Sequence, residues 1–522
     1  MEFRLLTFTA QDVAVDCNEP GDFIDDNDTG DASKELLKSF SVQMFGINSV
    51  GETASITVSG FKPFFYVKVP DSWKKSAGGD LVSALRIAIG ASGKKSDMPI
   101  YYDFVHRKTL YGFDGGKQHS FIQLKFESEA DMRAAKNCWY SKSPKRADSG
   151  NELRLMKEGF IVDMESTYLY EAQIPPLLRM FHIKKISPSG WISIKRSIKQ
   201  PRTRSTTCKY EYQLSVNDIT ALPDKEDAVP YKICSFDIEA SSSHGDFPLA
   251  KKDYKKLASN IVDIWTEYGG LDIDSANKML ADIIRQAFDM EVDTQHAWLT
   301  DVEYVYPISL SGIDIEEKIN TWLSSLIPKT SAVLQDETSV DDDIHDSIAN
   351  TGAADNISEG SFRQTSLGGK HLRYKGGDLV YDVLNGSDSY ETKVLAIKTS
   401  LDKIFPRLKG DEVTFIGSTF MLNGQDKPYL NHCIVNGKCA SLSNVELQFC
   451  KNEKNTLLAW ADIIQREDPD IIIGYNIFGF DYSFMYDRCV ELGCAKRFLM
   501  LSRNKPAGRY EICTSYNWKT KR

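Results

Sequence analysis

Tyr231-Lys232-Ile233-Cys234-Ser235-Phe236-Asp237-Ile238-Glu239-Ala240 reads as a short apolar strand that ends in two acids. Side chains alternate along a strand, so Asp237 and Glu239 project from one face, ~7 Å apart along the chain. Two like charges so placed repel unless something positive sits between them. A divalent cation is the natural filler, since Mg²⁺ takes hard oxygen ligands from a few carboxylates and completes its shell with water and phosphate. The same three letters also fit a solvated pair of acids on an edge strand. They recur at Asp314-Ile315-Glu316, where Gly312 precedes and Glu317-Lys318-Ile319 follows. That copy reads as a helix start, its acids favoured by the positive end of the helix. Context separates the two: only the first ends an apolar strand.

The second chemical signal is Asp470-Ile471-Ile472-Ile473-Gly474-Tyr475-Asn476-Ile477-Phe478-Gly479-Phe480-Asp481. Residues 470–474 read as a continuously apolar strand of the kind buried on both faces. The loop 475–479 then lies at the carboxyl end of a strand, where α/β sheets place their ligands. Asn476 offers an amide to phosphate or sugar, and Phe478 and Phe480 are candidate stacking or wedge groups for bases. Asp481, in the first turn of a helix over 481–492, would point back toward the strand ends. Alone it reads as a helix cap beside core aromatics. Together with Asp237 and Glu239 it gives three carboxylates over one sheet edge, the arrangement for two-metal phosphodiester hydrolysis.

The rest of the chain frames these motifs. Its 522 residues suggest roughly three domains of ~150 residues. An apolar share of 42% with 26% charged excludes wholesale disorder, collagen and coiled coil. The excess of 73 acids over 63 bases excludes a uniform positive coat, but not a local basic groove. No apolar run approaches the ~20 residues of a spanning helix, and residues 1–10 lack the apolar core of a secretory signal, so an intracellular protein without membrane partners is expected. Ten cysteines with no CxxC pair read as reduced thiols, not as a disulfide framework or zinc site.

Residues 1–225 read as a mixed α and β region, with strands over 40–47, 54–58 and 61–69 and helices over 81–89 and 129–139. Residues 172–210 hold nine Lys or Arg, Arg202 and Arg204 among them, and no Asp or Glu. This is a candidate phosphate-contacting face, and equally a solvated surface. Helices over 251–268 and 274–288 follow, the second with a core stripe of Met279, Leu280, Ile283, Ile284, Ala287 and Phe288. Residues 329–370 read as a disordered acidic linker. Strands over 412–420 and 430–435 and a helix over 454–466 precede the second motif. The expectation is a mixed sheet flanked by helices, built from 226–250 and 375–522, with 251–374 inserted. The interval from Asp237 to Asp481 is more than double the ~100 residues that a few strands and one helix require.

Ser235-Phe236-Asp237-Ile238-Glu239 resembles the first exonuclease motif of family B DNA polymerases, and residues 470–481 resemble the second, with Asn476, Phe480 and Asp481 at the expected offsets. Residues 60–67, 168–194 and 410–420 agree with that likeness. The delta-type branch is nearest, and Ser243-His244-Gly245-Asp246-Phe247-Pro248 before a Lys-rich helix is similar to polymerases of large nucleocytoplasmic DNA viruses. The resemblance implies an RNase H-like 3′–5′ proofreading domain working with two Mg²⁺ ions, preceded by an α+β amino-terminal domain that helps hold the template. Asp237, Glu239 and Asp481 would be its metal ligands, and Asn476 would sit near the single-stranded 3′ end. A viral polymerase would work in a viral factory, the cytoplasm or the nucleus of an infected cell.

Departures accompany the likeness. The family's third exonuclease motif places an Asp four residues after a Tyr, but Tyr510 meets Thr514 and Tyr516 meets Thr520 at that offset. Segments like the polymerase palm motifs are absent. The expectation is the front portion of a replicative DNA-directed DNA polymerase, with little catalysis by this stretch alone. Its partners would be DNA, the remaining polymerase portion or a sliding clamp. The alternatives are a non-catalytic single-stranded DNA-binding module and a polymerase-docking module.

Overall fold

The computed structural model describes residues 1–14, 38–91, 98–109, 115–143, 152–195, 201, 203–242, 245–292, 296–333 and 371–505. The linker expected at 329–370 lies outside the described residues from 334 onward, as do Arg202 and the tail that carries Tyr510 and Tyr516.

Two large sheets, with the small pair Tyr140–Ser143 and Glu152–Leu155 beside them, form the described first part of the chain. In the six-stranded one, Glu2–Ala14 lies between Lys38–Ile47 and Trp191–Ile194. Its alternating apolar residues, Phe3, Leu5, Phe40, Val42 and Met44, pack against Met180 and Phe181. The latter two come from the helix Pro176–Lys184. The five-stranded sheet centres on Phe64–Lys68 and buries Phe65, Leu124 and Phe126 against Leu81, Leu85 and Trp139. The helices Lys255–Tyr268, Ile273–Ala287, Ile315–Ser324 and Tyr390–Ile404 share a separate core. All six residues of the expected stripe, Met279 to Phe288, are buried in it. Asp314 caps the helix Ile315–Ser324, accepting the Glu317 amide at 3.3 Å, so the second acid pair is the helix start its context implied.

The sheet that carries the first motif has five strands, in the order Glu446–Cys450, Leu430–Asn436, Glu412–Leu422, Lys232–Ser241 and Ile471–Ile473. Lys232–Ser241 runs antiparallel to Glu412–Leu422, with Asp237 opposite Gly417 and Glu239 opposite Phe415. It runs parallel to Ile471–Ile473, with Ser235 opposite Ile473. One face of the sheet packs Cys234, Phe236, Ile238, Ile416 and Phe420 against Leu457, Trp460, Phe484 and Met485. These partners lie on the helices Glu453–Glu467 and Asp481–Glu491.

The triple-isoleucine strand corrects the sequence reading. It spans only Ile471–Ile473 and pairs on one side alone, with Ile471 37% and Ile473 48% exposed. An edge strand turns alternate side chains to the face opposite the two helices, so apolar continuity here does not mean burial on both faces. Asp470 precedes the strand as a clamp. Its carboxylate accepts the Lys232 amide at 2.8 Å and Arg503 Nη2 at 2.9 Å.

Arg488 ties the two helices to the sheet. Fully buried, it donates from Nε and Nη2 to both carboxylate oxygens of Glu453 at 2.8 and 2.7 Å. Its Nη1 reaches the Ala250 carbonyl at 3.2 Å and pairs with Glu491 at 2.7 Å. Glu453 in turn accepts the Val413 amide at 2.9 Å. Gly410 makes room for this cluster: a Cβ there would lie 2.0 Å from the Ala250 carbonyl oxygen and 2.3 Å from Arg488 Nη1. Removing one partner of a buried pair strands the other charge, at a cost of about 3–5 kcal/mol. Glu453→Ala is therefore expected to lose that much in urea unfolding, and a loss within ~0.5 kcal/mol would show that the pair is not holding the helices.

Candidate functional site

Alternation along Lys232–Ser241 puts Asp237 and Glu239 on the exposed face while Phe236 and Ile238 enter the core. Asp237 Oδ1 accepts the amide of Ile238 at 3.0 Å, which fixes the direction of the carboxylate. Past Ile473 the chain must leave the sheet and cross close to the neighbouring strand Lys232–Ser241. Gly474 permits it, since a Cβ there would sit 2.8 Å from the Phe236 carbonyl oxygen and 2.3 Å from Ile477 Cγ2. Asn476 takes a left-handed conformation (φ +49°), and its carbonyl accepts the amides of Gly479 at 2.9 Å and Phe480 at 3.0 Å. This turn returns the chain to the sheet edge and starts the helix Asp481–Glu491 beside Asp237.

Asp481 is only 3% exposed, and its Oδ1 has no hydrogen-bond partner. Burial pushes its carboxyl above the ordinary aspartate range, and the negative charge of Asp237 pushes it the same way. A buried, unsatisfied acid facing a second acid is electrostatically incomplete, and a cation would relieve it.

The structure thus brings Asp237 and Asp481 together. Glu239 shares the face of Asp237 but stands one strand period further along. Among the described residues no group of three or more His, Cys, Asp or Glu side chains is close enough to hold a metal ion. The convergence of all three acids expected from the sequence is therefore reached only in part.

The expected strand-holding residues separate in the same way. Phe478 is 87% exposed at the loop tip, and Asn476 is exposed beside it. Phe480 is half-buried, its ring 5.3 Å from Phe247 and 5.2 Å from Phe484, so it anchors the loop and is not a free stacking group. Tyr475, 92% exposed, is an aromatic that sequence reading passed over. Its position between Gly474 and Asn476, both turn formers, was the available signal.

Arg204 is exposed and donates to the Cys208 carbonyl at 3.4 Å. The basic stretch around it is not a uniform phosphate face. Arg179 is buried between Glu171, at 2.9 Å, and the Phe64 ring, 4.5 Å away. Lys195 pairs with Asp218 at 2.9 Å, and Lys209 pairs with Glu52. The acids that engage these bases lie outside the window 172–210, which is why local composition suggested free charge.

Residues 167–268 and 378–517 match the family model described as DNA polymerase family B, exonuclease domain. The DNA polymerase of Phaeocystis pouchetii virus is 36% identical over 502 residues, covering 92% of this chain and 46% of that protein. The DNA polymerase of Pyramimonas orientalis virus is 26% identical over 512 residues, 96% of this chain and 38% of that protein. The DNA polymerase delta catalytic subunit of Dictyostelium discoideum is 25% identical over 229 residues, 42% of this chain and 20% of that protein. The chain spans less than half the length of these relatives. With its two motifs on one sheet and this match around them, the chain belongs to DNA polymerase family B and carries that family's exonuclease domain.

Proposed function

We propose that the chain is the amino-terminal and proofreading portion of a DNA-directed DNA polymerase. Its RNase H-like domain, residues 226–250 with 375–522, would hydrolyse the last phosphodiester of a mispaired 3′ end. The observation that carries this reading is Asp481: a nearly buried carboxylate with one orphaned oxygen, held against Asp237 at the carboxyl edge of a sheet. The α+β region 1–225 would help hold the template, and 251–374 would be an insertion. A viral replicative polymerase is the setting suggested by the relatives.

The donor set fits Mg²⁺. It consists of hard carboxylate oxygens, one of them without a protein partner, as a hard divalent cation requires. Asp237 and Asp481 would hold the metal, with Glu239 contributing from the same face. When bound, two such ions would activate water and stabilise the leaving oxygen. The chain's own residues do the rest. The Asn476 turn aims Asp481 at the strand Lys232–Ser241, and Asn476 and Phe478 would offer an amide and an exposed ring to the single-stranded end. Arg204, with Arg202 near it in sequence, would contact backbone phosphate further along.

Four outcomes are expected. In Mn²⁺ titrations followed by electron paramagnetic resonance, Asp237→Asn and Asp481→Asn each weaken binding by roughly tenfold or more, at ~1.4 kcal/mol per tenfold. Binding by Asp481→Asn equal to the parent's would sink the assignment. Because the Asp481 carboxyl is raised, metal binding falls away with acidification at a higher pH than for an ordinary aspartate. The folded state also holds that proton where the unfolded state has released it, so the acid costs stability as pH rises through this window and above it. Asp481→Asn is accordingly expected to raise the thermal midpoint at neutral pH, with the gain shrinking toward the ordinary aspartate range. On 3′-labelled single strands the chain should show at most weak, Mg²⁺-dependent trimming and Asp237→Asn none. Trimming that survives Asp237→Asn places the chemistry elsewhere.

A further inference from the structure

Gly417 has no evident reason to be glycine in the fold. It lies inside the strand Glu412–Leu422, where glycine costs roughly 0.5–1 kcal/mol relative to a side-chain-bearing residue. Its φ is not positive, so the backbone does not demand it. A Cβ built on it meets no atom within 4 Å, so no neighbour excludes a side chain. Gly410, Gly474 and Gly479, by contrast, each face an atom under 3 Å from such a Cβ.

Register shows what the missing side chain leaves open. Gly417 is directly opposite Asp237 on one side and Cys433 on the other. The rows flanking it carry Thr419 and Asn431 on one side, joined at 3.0 Å, and the exposed ring of Phe415 on the other. The result is a notch one residue wide in the exposed face, floored by backbone and opening onto Asp237. A ring stands on one edge of it and a hydrogen-bonding pair on the other. Directly opposed strand residues sit about 5 Å apart, so any side chain at 417 would rise beside the Asp237 carboxylate.

We propose that Gly417 is a clearance residue: the notch above it receives the sugar and phosphate of the terminal nucleotide and lets them reach Asp237. The proposal rests on the exonuclease reading and adds to it a residue that determines access. It has an unusual signature. Filling the notch adds a side chain of high strand propensity in open space, so the fold gains or keeps stability while the site is lost.

The test uses the chain itself with Gly417→Ala, Gly417→Val and Asp237→Asn. Thermal unfolding is measured beside binding of a fluorescein-labelled single-stranded oligonucleotide with a free 3′ end, with and without Mn²⁺. Gly417→Val is expected to melt at or above the parent temperature and to weaken Mn²⁺-dependent binding by roughly tenfold or more, with Gly417→Ala between it and the parent. Parent-like binding by Gly417→Val, alongside loss in Asp237→Asn, overturns the proposal and leaves the exonuclease reading standing. No Mn²⁺-dependent binding by the parent, or none lost in either variant, overturns both. A lowered melting temperature in both Gly417→Ala and Gly417→Val assigns the glycine to packing and likewise overturns the proposal.

Discussion

A fully buried guanidinium is the constraint on which the arrangement of this sheet and its helices depends. Arg488 satisfies Glu453, Glu491 and the Ala250 carbonyl at once, and Glu453 reaches on to the backbone of the strand Glu412–Leu422. These groups come from four separate pieces of chain. Charges this deep are stable only when every partner is in place, so the geometry admits little variation. The helix that bears Arg488 begins at Asp481, two turns earlier. Fixing one end of a rigid helix fixes the other, and the carboxylate at its start is thereby held against Asp237.

That placement is electrostatically costly, and the cost is local. Asp481 sits at a helix amino terminus, where the backbone dipole favours an anion, yet burial and the neighbouring acid both oppose its charge. The rest of the sheet is conventional: buried and exposed residues alternate along its strands, giving an apolar face under Trp460 and Phe484 and a mostly polar second face. Strain confined to one pair of acids, supported by a well-packed core, is the pattern of a site assembled to receive something.

Much of this was legible in the sequence because it follows from period and punctuation. The alternation that puts Asp237 and Glu239 on one face, the helix start at Asp481 and the different context of Asp314 all depend on residues within a few positions of one another. The parts that were not legible depend on distant partners. Ile471–Ile473 lies at an edge because of which strands pair, and its composition alone cannot report that. Phe480 is an anchor because Phe247 arrives from the far side of the chain. Arg179 looked like surface charge until Glu171 and the Phe64 ring enclosed it. Gly417 carries no local signal at all, since only its register with Asp237 sets it apart from other strand glycines.

The parallel pairing of Ile233 with Ile471 has a consequence for how the molecule is made. A ribosome delivers the first of these strands long before the second, and the closure entropy of so long a loop has to be met before the pairing is rewarded. The helices whose core runs from Tyr254 to Leu408 emerge in between and share a hydrophobic interior of their own. Early collapse of that interior would draw the two ends of the interval together and shorten the effective loop. The nascent Lys232–Ser241 strand meanwhile waits with an unpaired edge, and the two negative charges in its second half discourage premature association with another chain.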